Sequence, residues 1–142
     1  MTAGSHRTQS AAETEALGAR VAEELRPGDV VVLSGEVGAG KTTFVRGAAR
    51  ALGIEGPVTS PTFTIGRRYG HVGHVDLHRI GSLADEEPEL LADYLGPDLI
   101  SFVEWPDAAG GEIAPRVRVS LAHAGGDARA VSIEWAPERR ER

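Results

Sequence analysis

Cysteine and asparagine are absent from this chain of 142 residues, and lysine occurs once against fourteen arginines. Without cysteine there can be no disulfide and no thiolate metal site. Aromatic residues make up only 5% of the chain. No apolar run approaches the roughly 20 residues that cross a bilayer. The opening ten residues, MTAGSHRTQS, are polar and lack the apolar stretch of a secretory signal. A soluble, cytoplasmic protein without membrane contact is the expectation. Basic excess is lacking too. The net charge is −6 and the pI about 5.3, so an unaided grip on nucleic acid is not expected, although local patches are not excluded. The length suits one domain with a real core.

The pattern along the chain alternates between strand and helix. Residues 1–10 read as a disordered tail. In AAETEALGARVAEEL, Ala16, Leu17, Val21, Ala22 and Leu25 form a helical stripe, which Pro27 and Gly28 end. Val30 to Leu33 is a β-branched apolar run, the mark of a strand covered on both faces. Helical spacing returns in TTFVRGAARALG, where Phe44, Ala48 and Leu52 share a face and Gly53 suits the C-terminal cap. GIEGPVTSPTFTIGRRYG reads as a loop with an extended end over residues 62–69. HVGHVDLHRI alternates like a strand, SLADEEPELLADYLG reads as a helix opened by Ser82 and Asp85 and shortened by Pro88, and DLISFVEW reads as a second buried strand. RVRVSL and AVSIEW are strands joined as a hairpin through AHAGGDA, and residues 137–142 form a solvated tail. No repeat is present. This order predicts an α/β fold of the P-loop NTPase kind in a single domain over 11–136. Its mixed sheet has a parallel core with antiparallel additions and is flanked by helices.

The single lysine stands at the join between the first buried strand and its helix. Gly35, Gly40, Lys41 and Thr42 fit G-x-x-x-x-G-K-[ST], the phosphate-binding loop. Glycines let the backbone curl so that successive N–H groups face phosphate oxygens, and Gly38, Ala39 and Thr43 belong to the same cradle. The helix beginning near Lys41 aims its positive dipole end at the same anion. Lysine is a compact charge on a flexible stem, and arginine's planar fork does not fit that space in the same way. Thr42 offers its hydroxyl to Mg2+. A Gly-rich turn before a helix is the bland alternative, but the motif here has both the preceding strand and the following helix that it requires.

Hydrolysis needs more than a phosphate loop. Mg2+ takes an acidic partner at the end of a neighbouring strand. Asp76 ends HVGHVD and Glu104 ends LISFVE; one is expected to serve the metal shell and the other to orient water or act as base. An ordinary exposed acid is the alternative for each. His74, Asp76 and His78 share one strand face, a spacing open to a transition metal, but histidines solvated or hydrogen-bonded beside a Mg2+ carboxylate are favoured. Guanine is commonly read by Asn-Lys-x-Asp, which a chain without asparagine or a second lysine lacks. ATP is therefore the expected nucleotide. Two further readings remain open on the residues alone, a small-molecule kinase and a nucleotide-gated adaptor without meaningful turnover.

Taken together, GEVGAGKTTFVRG, SPTFTI, HVDLHRI and VEWPD resemble, in this order and over about residues 10–135, the TsaE family (also called YjeE) of bacterial tRNA threonylcarbamoyladenosine biosynthesis. That resemblance implies a mixed sheet flanked by helices, ATP and Mg2+ binding, slow intrinsic hydrolysis, and action with TsaD and TsaB, tRNA being reached through that complex. It matches Lys41 and Thr42 to phosphate and Mg2+, Asp76 to the acid of the His-x-Asp element, Glu104 to the essential glutamate and Trp105 to a tryptophan near the nucleotide. Thr14 aligns near the adenine. Ser60, Thr62 and Thr64 fall in a switch segment that senses the γ-phosphate. The chain departs from the family pattern at His78, where tyrosine is usual, and at Arg67 and Arg68, where an acid is usual.

Overall fold

The computed structural model describes residues 3–36, 38–56, 58, 66–76, 94–104 and 114–137. Seven strands form one sheet in the order β1-β7-β6-β2-β5-β4-β3. Its centre is β2 (Val30–Ser34), flanked in parallel by β5 (Ile100–Glu104) and β6 (Val117–His123), with β4 (Val72–Asp76) parallel to β5. Antiparallel strands close both sides. β3 (Gly66–Tyr69) pairs with β4, β7 (Arg129–Trp135) with β6, and β1 (Gly4–Thr8) with β7. The mixed sheet agrees with the sequence reading. Among the described residues no helix is long and apolar enough to cross a membrane.

The N-terminal tail is a correction. Residues 4–8 are an edge strand, from Gly4 opposite Ile133 to Thr8 opposite Arg129. GSHRT has no apolar alternation, because only Thr8 at its end is buried; backbone pairing with β7 holds the strand.

Helix α1 (Ala11–Ala22) starts at Ser10, whose hydroxyl accepts from the Glu13 N–H at 3.2 Å, while the Glu13 carboxylate accepts from the Gln9 N–H at 2.7 Å. The first bond satisfies a donor that helix formation leaves open, and the second ties the residue before the cap to the first turn. The buried stripe is Thr14, Leu17, Gly18, Val21 and Ala22. Ala16, placed on the stripe by sequence, is exposed, and Thr14 lies inside instead. Thr14 can be buried because its hydroxyl is satisfied: it lies 2.7 Å from the Thr8 hydroxyl and donates to the Ser10 carbonyl.

Helix α2 (Lys41–Ala51) ends in paired bonds, Gly53 N–H to the Arg50 carbonyl and Ile54 N–H to the Ala49 carbonyl, with Gly53 at φ 91°. The two helices cross through glycines. A Cβ on Gly18 would come 2.2 Å from the Phe44 carbonyl oxygen, and one on Gly47 2.0 Å from that of Glu15. Only residues without a side chain allow backbones so close. Glu15 also binds Arg50 at 2.9 Å across the crossing.

Leu17, Val21, Phe44 and Ala48 of the helices form one core with Val31, Leu33, Phe102 and Val119 of the sheet. Burying a ring such as Phe44 contributes about 2–3 kcal/mol. Along β4, read from its alternation as a strand, all five residues are buried, the polar ones included. The helix read over SLADEEPELLADYLG lies outside the described residues except 94–96, and most of the 137–142 tail lies outside them too.

Candidate functional site

The site gathers where the parallel strands end. β2 leads into the loop and α2 departs from it. Gly35 has φ 145°, and a Cβ there would lie 2.4 Å from the Leu121 carbonyl oxygen of β6. Gly40, at φ 105°, is the N-cap of α2 and offers no side chain to the first N–H groups of the helix. A helix start binds anions through its first N–H groups and the positive end of its dipole. Ala39 is buried, its N–H donating to the Glu36 carbonyl.

Lys41 is 5% exposed. Its ammonium donates to the Gly35 carbonyl and, at 2.9 Å, to the Glu36 carbonyl, so the side chain folds back along the loop. Burial pushes the Lys41 ammonium below the ordinary lysine value, while Glu104 and Asp76 act in the opposite sense. A charge already desolvated and held by weak carbonyl acceptors is poised to prefer phosphate oxygens.

The register supplies the acids. β4 and β5 run in parallel with Asp76 opposite Glu104, and Glu104 lies opposite Leu33 of β2. Two carboxylates thus stand side by side at adjacent strand ends, both buried, beside the phosphate loop. Thr42, in the first turn of α2, donates its hydroxyl to Glu104 Oε2 at 3.1 Å. The same oxygen lies 2.6 Å from His74 Nε2. Lys41, Thr42, Asp76 and Glu104 are thus brought together. A threonine hydroxyl and two carboxylates are a hard all-oxygen set, and that fits Mg2+ held partly through nucleotide phosphates. Among the described residues no group of three or more His, Cys, Asp or Glu could hold a metal alone.

The other flank of the loop has different chemistry. Arg129 of β7 donates to the Gly38 carbonyl at 3.2 Å and to the Gly126 and Ala128 carbonyls at 2.8 Å. A Cβ on Gly40 would come 3.7 Å from the Thr14 methyl. Thr14 therefore does border the loop, but its methyl faces it and its hydroxyl turns to β1. Thr43 lies half-buried one residue further along α2.

Sequence reasoning missed Arg129, which carried no motif, and the partner of His74. That histidine was read as a solvated or hydrogen-bonded neighbour of Asp76 or as one of a metal-binding trio. It is fully buried, and its Nε2 is taken by Glu104. Its place two residues before Asp76 on the same face was the available signal, but using it required knowing that β4 lies beside β5. Ser60, Thr62, Thr64, His78 and Trp105 lie outside the described residues.

Comparison with known proteins agrees with this fold. The family model for threonylcarbamoyl adenosine biosynthesis protein TsaE matches residues 8–131. The tRNA threonylcarbamoyladenosine biosynthesis protein TsaE of Streptomyces coelicolor is 43% identical over 118 residues, covering 78% of this chain and 80% of its own. Its Bacillus subtilis counterpart is 36% identical over 141 residues, covering 95% and 87%. The crystal structure of Bacillus subtilis YdiB superposes with a TM-score of 0.69 at 31% identity, covering 91% of this chain and 82% of that one.

Proposed function

This chain belongs to the TsaE family, and from that premise we propose that it is a Mg2+-dependent ATPase acting with TsaD and TsaB to form N6-threonylcarbamoyladenosine beside the tRNA anticodon. The proposed setting is the cytoplasm, and tRNA is reached through the partner complex. The observation that carries the ATPase reading is the Thr42–Glu104 hydrogen bond, set between Lys41 and Asp76. It joins the phosphate half of the site to the carboxylate half.

In this reading Lys41 exchanges its carbonyl acceptors for β- and γ-phosphate oxygens, and the first N–H groups of α2 donate to the same phosphates. Thr42, Asp76 and Glu104 would hold Mg2+ or its waters, and bound Mg2+ would neutralise charge on the phosphate oxygens. Glu104 orients the attacking water. The water oxygen bonds to Pγ, the bond from Pγ to the bridging oxygen breaks, and its electron pair stays on ADP. The water proton leaves through Glu104 to solvent.

The test is ATP turnover with and without Mg2+, the TsaD–TsaB complex and tRNA. Mg2+-dependent phosphate release that rises with the complex is the expected result. Turnover absent under every condition would overturn the ATPase reading, and turnover indifferent to the complex would overturn the partnership.

A further inference from the structure

We infer that His74 is a positioning residue that fixes the Glu104 carboxylate, an inference resting on the proposed role of Glu104 at the nucleotide. His74 Nε2 and Glu104 Oε2 are 2.6 Å apart, and their side chains are 0% and 3% exposed. A carboxylate only accepts, so the imidazole donates from Nε2. Thr42 donates to the same oxygen from α2. One oxygen is thus held by donors from two elements, a helix and a strand.

That double hold matters because the last torsion of glutamate is soft. Its rotation about the final bond has broad wells, so backbone placement alone leaves the carboxylate plane undefined. With Oε2 tied by His74 and Thr42, Oε1 has one direction left. His74 can do this because of its register. It lies opposite Phe102 on β4, one side-chain step before the Asp76–Glu104 pair and on the same face. The imidazole then reaches forward along β5 to Glu104.

Core filling alone does not account for the residue. Among the described residues its Nδ1, also buried, has no hydrogen-bond partner. An orphaned buried nitrogen costs about 1–3 kcal/mol, which an aliphatic side chain in the same space would avoid. What the aliphatic side chain lacks is the donor that Glu104 receives.

The test uses the full chain with TsaD–TsaB and four variants: His74→Gln, His74→Asn, His74→Leu and Glu104→Gln. Glutamine places an amide N–H as many bonds from the backbone as imidazole Nε2; asparagine carries the same group one carbon short. Leucine and asparagine should each lower kcat about 10–100-fold. Glutamine should recover most of that loss. In the Glu104→Gln background, adding His74→Leu should change kcat by less than about twofold, because the two act as a unit. Binding of a fluorescent ATP analogue gives a readout apart from turnover. The gain in affinity on adding Mg2+ should shrink with leucine and asparagine and return with glutamine. Should leucine prevent folding, the glutamine and asparagine pair decides the matter.

Glutamine no better than asparagine, or a leucine cost equal in both Glu104 backgrounds, would overturn the inference and leave His74 a packing residue. Failure of the ATPase reading looks different, since wild type would then show no turnover. The Mg2+-dependent affinity would still decide on His74, and a gain unaltered by leucine and asparagine would overturn it.

Discussion

The two flanks of β2 follow different rules. Towards β5 and β4 every strand residue is buried, and charge enters the interior as Glu104, Asp76 and their imidazole neighbour. Towards β6 and β7 buried and exposed residues alternate for most of each strand, and the loop is met by a methyl and a guanidinium on carbonyls. Parallel strands covered on both faces can carry acids at their ends only if other elements supply donors, and here α2 and β4 do. Strands with one wet face, as in β6 and β7, need no such help. One flank thus gathers buried acids beside the loop and the other braces it.

The largest effect is expected at Lys41, which belongs to the loop itself. Lys41→Ala should lower turnover roughly 10³-fold and weaken ATP binding, with folding stability changed by about 1 kcal/mol or less. Lys41→Arg should also be impaired, because the fork does not follow the folded path of the lysine stem; wild-type turnover in that variant would defeat the shape argument. Next come the acids. Glu104→Gln and Asp76→Asn should each cost turnover about 10²-fold, while nucleotide affinity without Mg2+ stays level in a binding titration. Full activity in either variant would move that residue out of the reacting set.

Stability experiments sharpen the contrast further. Gly47→Ala gains nearly 1 kcal/mol of helix propensity, but its methyl would sit 2.0 Å from the Glu15 carbonyl oxygen. Overpacking of that kind costs up to about 3 kcal/mol. The steric term wins, and urea unfolding should show a net loss of about 2 kcal/mol. The smallest effect belongs to the bracing flank. Thr8→Val removes one partner of the Thr8–Thr14 pair and should cost about 1 kcal/mol, with turnover nearly that of wild type. A large loss of turnover there would erase the distinction between the flanks.

The sequence exposed local features of this architecture better than long-range ones. The phosphate loop was legible because a β-branched run, a glycine turn and a helical stripe follow one another within residues 30–53. Asp76 and Glu104 were legible because each closes a strand-like segment, alternating for the first and apolar for the second. β1 was not, since a polar edge strand has no pattern of its own and exists by pairing with β7. Ala16 and Thr14 exchanged places because a hydroxyl from β1 makes threonine at home inside. His74 was legible as a solvated or hydrogen-bonded neighbour of a carboxylate in an alternating strand, but its partner was not. Its donor role depends on Glu104, thirty residues on, and on a strand order that spacing does not encode.

The central position of β2 also constrains when the molecule can come into being. Its two neighbours, Ile100–Glu104 and Val117–His123, lie far downstream. During synthesis the phosphate loop emerges with no sheet to rest on, whereas β6 and β7 can meet through a short turn. Closing the long intervening loops carries an entropic cost before any contact repays it. β1 must wait for β7, which is made much later. Two strands distant in sequence therefore clasp each other, and a chain interrupted before Arg129 would leave Gly4–Thr8 without its partner strand.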